Sequence, residues 1–159
     1  MVVPKPQLLF IELRVSGKDR LICDIAEKFY ELGNSILIYV EAHNQAYHLD
    51  QLLWTWKQES FVPHLYVQDD VSQPEEPVII STQNPQSYNC DVLILHDPAK
   101  PETLADFRQI IDFAELYNKD KHQASRIRFK EARDSGLFEL EFQKTGEFFR
   151  NMQQNTLKT

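Results

Sequence analysis

Glycine is scarce in this chain of 159 residues, with only Gly17, Gly33, Gly136 and Gly146. Phosphate-cradling loops need several closely spaced glycines so that backbone N–H groups can approach the anion, and neither G-x-G-x-x-G nor G-x-x-x-x-G-K-[ST] occurs. Only the short turn Arg14-Val15-Ser16-Gly17-Lys18 offers a place for a single phosphate. Cysteine is scarcer still. Cys23 and Cys90 form no Cys-x-x-Cys pair and have no histidine at ligand spacing, which excludes a disulfide framework, argues against structural zinc and leaves both as small core hydrophobes. No apolar run approaches the roughly 18 residues of a membrane span. The N-terminal stretch MVVPKPQLLFIELRVSG lacks the order of charged, apolar and small residues that a secretory signal requires, so a cytoplasmic address is expected. A basic surplus is missing as well. With 24 Asp and Glu against 17 Lys and Arg, the net charge of -7 opposes broad binding to a phosphate backbone, and any work near DNA is expected to run through another protein.

Nucleophilic motifs are also absent: no serine sits in G-x-S-x-G, and neither cysteine has the basic neighbours of a helix start that would make it reactive. His43 and His48 lie five apart and share no helical face, and His64 follows Pro63 in an apolar setting that suits a histidine hydrogen-bonded for structure. The acidic pairs Asp69-Asp70 and Glu75-Glu76 read as solvated loop charge. No enzyme, cofactor or metal site is expected.

What is present, 42% hydrophobic and 26% charged residues, suits one folded domain with a real core. Leu8 to Leu13 reads as a buried strand. Ser16 is the expected N-cap of a helix with Leu21, Ile22, Ile25, Ala26, Phe29 and Leu32 inward and Gly33 ending it. Ile36 to Val40 follows as a strand, completing a βαβ unit. A second helix is expected over Ala42 to Trp54, then an edge strand or irregular segment at Ser60 to Leu65 because of Pro63, an acidic loop from Asp69 to Pro77, and strands at Val78 to Ile80 and Val92 to Leu95. Pro101 opens an expected helix with Phe107, Ile110, Ile111, Ala114 and Tyr117 on its buried side. A further helix from Asp120 to Asp134, stopped by Gly136, and a strand from Leu137 to Phe142 complete the pattern. The expected fold is a single three-layer α/β domain over residues 1–144, with a mostly parallel central sheet and flanking helices. It resembles nucleotide-binding folds but lacks a phosphate loop, and residues 145–159 form a polar extension, read as a frayed helix or tail.

Two features stand out. Trp54, Trp56, Phe61, Val62 and Pro63 crowd a short span; they either anchor a partner or close the core at the sheet edge. The helix near Lys119 to Arg133 carries six Lys and Arg against two acidic residues, a local net of +4 that leaves -11 on the rest of the chain. Arg126, Lys130 and Arg133 fall on one face with Phe129 beside them, which suits either a solvated face complementing its own helix dipole or an acidic peptide with an apolar residue.

These residues resemble a known family. The series Leu21 to Glu27, Ile36-Leu37-Ile38, Gln45 to Trp54 and Ser60-Phe61-Val62-Pro63-His64, continued by Cys90 to Ile94, Phe107 to Phe113 and Arg126 to Lys130, is similar to the chi subunit of bacterial DNA polymerase III over roughly residues 7–142. The resemblance implies a non-catalytic clamp-loader accessory protein. Its partners would be the psi subunit, the acidic phenylalanine-ended tail of single-stranded DNA-binding protein, and a DinG-like helicase competing for the psi surface. It would bind little nucleic acid directly and no membrane. It places Trp54, Phe61, Val62 and Pro63 at the psi or helicase surface. The tail site would hold Arg126, Phe129 and Lys130, with Arg128, Arg133, Lys121 and His122 as further candidates. The chain departs from the family in four places: it lacks a glycine-rich stretch after Pro63-His64, carries Phe129 where tyrosine is common, carries His122 where the family has lysine, and has a longer tail beyond Lys144 than the resemblance implies.

Overall fold

The inner strands of this chain are buried on both faces, as a parallel sheet covered on both sides requires. The computed structural model describes residues 4–68 and 73–157. Seven strands, all parallel, form one sheet in the order β3-β4-β2-β5-β6-β1-β7: β1 is Gln7–Leu13, β2 Ile36–Tyr39, β3 His64–Tyr66, β4 Val78–Ser81, β5 Val92–Leu95, β6 Gln109–Glu115 and β7 Glu139–Lys144. Helices α1 (Lys18–Glu31), α2 (His43–Thr55) and α4 (Thr145–Leu157) cover one face, where Ile11, Ile22, Ile25, Ile38, Leu49 and Phe113 pack together. Helix α3 (Lys119–Ser135) lies on the other, over Leu8, Phe10, Leu93 and Ile110. This is the expected three-layer α/β arrangement, with the sheet parallel throughout.

Local signals account for most boundaries. Gly33, with φ of 86°, takes the left-handed position after α1, and its N–H and that of Asn34 bond back to the Tyr30 and Phe29 carbonyls. The N-cap of α1 is Gly17 rather than the expected Ser16, and no side chain caps that end. Residues 60–63 are irregular and β3 follows as the edge strand, in keeping with Pro63 just before it. Of the expected loop from Asp69 to Pro77, residues 69–72 lie outside the described residues. Cys23 and Cys90 are buried; burial pushes the Cys23 thiol up to about 12 and raises that of Cys90.

Two expectations are overturned. Pro101 opens only a single turn of 3-10 helix, Pro101–Thr103, and the stretch expected to continue as a helix contains the strand β6. Ile110, Ile111 and Ala114 fit a helical stripe by spacing, yet every residue from Ile110 to Glu115 is buried, because this strand lies inside a parallel sheet with covered faces. Its two carboxylates, Asp112 and Glu115, enter the interior with cationic partners, which hid the strand in the sequence. The segment after Lys144 is likewise no frayed tail. Phe148 and Met152 of α4 are buried with Phe29 in the main core, and the Thr145 hydroxyl donates to the Glu12 carbonyl at 2.8 Å.

Candidate functional site

Parallel register puts Asp112, Phe10 and Phe142 in one lateral row across β6, β1 and β7. Helix α3 crosses this row, and two consecutive residues fasten it there. The Arg128 guanidinium donates from Nε and Nη2 to both Asp112 oxygens, at 2.9 and 3.1 Å, and from Nη2 to the Phe113 carbonyl at 3.1 Å. Phe129 meets Phe10 edge to face, with ring centroids 5.3 Å apart. The helix begins at Asn118, whose Oδ1 accepts the Lys121 N–H, and ends at Gly136 in the left-handed region with φ of 70°, the stop expected from the sequence.

Beyond the row, between α3 and the β7 edge, lies an open groove of about 880 Å³. Phe10, Phe129 and Phe142 line it with Ile127, while Arg126, Lys130, Arg133 and His122 supply its polar part. Arg126, Lys130 and Arg133 are exposed, and among the described residues no side-chain ion pair holds Arg126 or Lys130. The groove can therefore offer guanidinium and ammonium donors above an aromatic floor, the chemistry of a carboxylate-bearing chain with an apolar end.

Arg126, Phe129, Lys130, Arg133 and His122 thus share one groove. Arg128 and Lys121 do not: both line a separate cavity of about 730 Å³. Lys121 Nζ stands 3.6 Å from Glu115 and over the Tyr117 ring. Spacing explains the division, since residues 126 and 128 are about 200° apart around a helix of 3.6 residues per turn. Phe142 and Ile127, each about half exposed, were missed by sequence reasoning. The alternation of Phe138, just before β7, with Leu140 and Phe142 in it carries the signal, but only the pairing of β7 with β1 reveals which face the strand residues share.

That second cavity opens at the carboxyl ends of β1, β5 and β6, where α/β sheets commonly take ligands, but it contains one glycine, Gly17, and is filled with internal ion pairs. Lys18 donates to Glu115 at 3.0 Å and to the His96 carbonyl at 2.8 Å, and Tyr117 donates to Glu115 at 2.6 Å. Burial raises the Glu115 carboxyl, but these donors outweigh it and leave the group below its ordinary range. The same hydrogen bond, after burial, pushes Tyr117 up to about 12. His96 lies between Asp19 and Asp97, each at 3.0 Å. Burial lowers the imidazole, and the two carboxylates more than reverse this, so its pKa stands above the ordinary histidine value. The hydrogen bond to His96 holds Asp19 down in turn.

The aromatic cluster resolves into an exposed pair and a buried base. Trp54 and Phe61 are 53% and 66% exposed, with ring centroids 6.0 Å apart. Pro63 is half-buried beside them. Val62, expected at the same surface, is 1% exposed: in this extended segment Phe61 points out and Val62 points in, supporting the patch from beneath. Trp54 packs 4.5 Å from the buried His64 ring, whose nitrogens face the Val62 carbonyl at 2.7 Å and Asp50 at 3.1 Å, the structural role expected for this histidine. The loop before Phe61 is tied to α1, with Trp56 donating to Asp24 at 2.9 Å, Lys57 to Glu27 at 2.8 Å, and the Ser60 hydroxyl also to Glu27. Burial raises the Glu27 carboxyl, and the Lys57 and Ser60 bonds bring it below its ordinary range.

Among the described residues no helix is long and apolar enough to cross a membrane, and no group of three or more His, Cys, Asp and Glu could hold a metal ion. In overall shape the chain is similar to the C-terminal domain of the DEAD-box protein Dbp5, with a TM-score of 0.60 and 17% identity over 94% of this chain and 96% of that one, a likeness of fold alone. In sequence it is 31% identical over 123 residues to the DNA polymerase III subunit chi of Escherichia coli (strain K12), covering 77% of this chain and 83% of that protein. The same-named subunit of Haemophilus influenzae is 31% identical over 119 residues, covering 74% and 81%, and that of Pseudomonas aeruginosa 28% over 123 residues, covering 76% and 82%. The family described as DNA polymerase III chi subunit, HolC, matches residues 6–139, a span that contains both the Trp54–Phe61 patch and the whole basic helix, and this chain belongs to that family.

Proposed function

We propose that this protein is a non-catalytic accessory subunit of the DNA polymerase III holoenzyme that ties the clamp loader, through psi, to the acidic C-terminal tail of single-stranded DNA-binding protein. The groove between α3 and β7 carries this reading: Arg126 and Lys130 stand exposed above a floor of Phe10, Phe129 and Phe142, a fit for carboxylates followed by a terminal aromatic ring. Arg133 and His122 extend the cationic rim. Trp54 and Phe61, with Pro63 beside them, offer psi an exposed aromatic surface, and a DinG-like helicase would compete for it. Polymerase activity resides in other subunits, and the protein works in the cytoplasm at the replisome.

The test is binding of a labelled tail peptide to wild type and to Arg126→Ala. A charge-assisted contact of about 1.5 to 3 kcal/mol predicts roughly a tenfold or larger loss, with psi binding intact. Equal affinity of the variant would sink the assignment of this groove. Because the cations are exposed, affinity should also fall steeply with added salt.

A further inference from the structure

Arg128 occupies the middle of the basic helix and yet turns away from the groove. Its side chain is 19% exposed, and the guanidinium spends three hydrogen bonds on the interior: two on Asp112, which is 5% exposed in the interior strand β6, and one on the Phe113 carbonyl. The next residue, Phe129, drops onto Phe10, the neighbour of Asp112 in the parallel register. Two adjacent residues on the helix therefore land on two adjacent strands. That arrangement specifies the roll of α3 about its own axis, because a shift of one residue turns the helix by about 100°.

We infer that Asp112 and Arg128 are a positioning pair, which sets the roll of α3 and thereby aims Arg126 and Lys130 into the groove without touching what binds there. A planar fork meeting a carboxylate through two parallel bonds sets an angle as well as a distance, which a point charge such as lysine does not. Near the start of the helix, the tie from Lys121 to Glu115 is longer at 3.6 Å and reaches from an exposed side chain, so it adds little angular constraint. The inference rests on the reading of the groove as the tail site, but it makes a separate prediction about the helix itself.

Asp112→Asn leaves the groove's own residues untouched, removes the charge and one of the two acceptor oxygens that face the Arg128 fork, and so loosens a guanidinium that keeps its bond to the Phe113 carbonyl. If Arg128 were a direct contact for an acidic peptide, this variant would bind the peptide at least as tightly as wild type. The positioning role predicts the opposite: peptide affinity falls about tenfold, and Arg128→Lys, which keeps the charge but not the fork, loses about as much. The double variant is then no weaker than the weaker single one, since both changes break the same pair. Psi binding by the full chain stays within about twofold of wild type, because the Trp54–Phe61 patch lies on other elements. Amide hydrogen exchange across residues 119–135 speeds up about tenfold in each variant relative to β1 and β5. Peptide binding at or above the wild-type level in Asp112→Asn, or unchanged protection of the α3 amides, overturns the inference. Should wild type itself fail to bind the peptide, the tail reading falls, and the exchange measurement alone decides the positioning role.

Discussion

Phe142 stands in register with Phe10 across the β1–β7 pair, and the two rings lie side by side in the floor of the same groove, one buried at 2% exposure and the other 49% exposed. The edge strand thus supplies apolar surface that no neighbouring element of this chain covers fully. Phe142→Ala should lower the affinity for the acidic tail peptide about fivefold or more, as expected for a partly open aromatic contact. Thermal unfolding should change by only about 1 kcal/mol, since half the ring is already in solvent. Unchanged peptide affinity would remove Phe142 from the binding surface.

The Trp54–Phe61 pair gives a prediction with the opposite specificity. Trp54→Ala should weaken psi binding by about 2 kcal/mol, or roughly 30-fold, as for an aromatic anchor at the centre of an interface. Tail-peptide binding should be unaffected, because α3 and β7 carry that groove. Folding should lose about 1 kcal/mol from the contact with His64. Calorimetric titration with psi would expose the error if the variant bound normally.

His96 makes stability depend on pH in a definite sense. Its folded pKa is raised by Asp19 and Asp97 despite burial, so the stabilisation it contributes is complete below the unfolded value of about 6.5 and is lost as pH rises through the higher folded value. The melting temperature of wild type should exceed that of His96→Gln most at about pH 6, and the gap should narrow towards about pH 9. A gap that widened over this range would contradict the carboxylate pairing. At the acid end the sign reverses for Asp19, whose lowered pKa gives stability that is lost as pH falls through its folded value.

Ending the chain at Lys144 should destabilise it strongly. Without α4 the buried Phe148 and Met152 are gone, and Phe29 and Leu9 lose that cover. Losing two such side chains predicts about 4 kcal/mol or more by chemical denaturation. A shortened chain as stable as the full one would show that α4 contributes little to the fold.

Much of this architecture is legible from the sequence because burial repeats along the chain. The Leu21, Ile22, Ile25, Ala26 and Phe29 stripe sets the buried face of α1, Gly33 and Gly136 stop helices in the left-handed region, and the concentration of +4 on one helix marks the groove's cations. The scarcity of glycine likewise ruled out the usual phosphate loops. Tertiary structure alone decided which residues meet. A strand covered on both faces has no alternation, so β6 was indistinguishable from a helix until its neighbours β5 and β1 were in place. Arg126 and Arg128 are equal as letters, and only the buried carboxylate of Asp112, sixteen residues earlier, turns one inward and leaves the other free. Val62 and Phe61 part in the same way, one into the core and one into solvent. Periodicity reports how a segment is buried, whereas pairing across strands is non-local, and the site depends on that pairing.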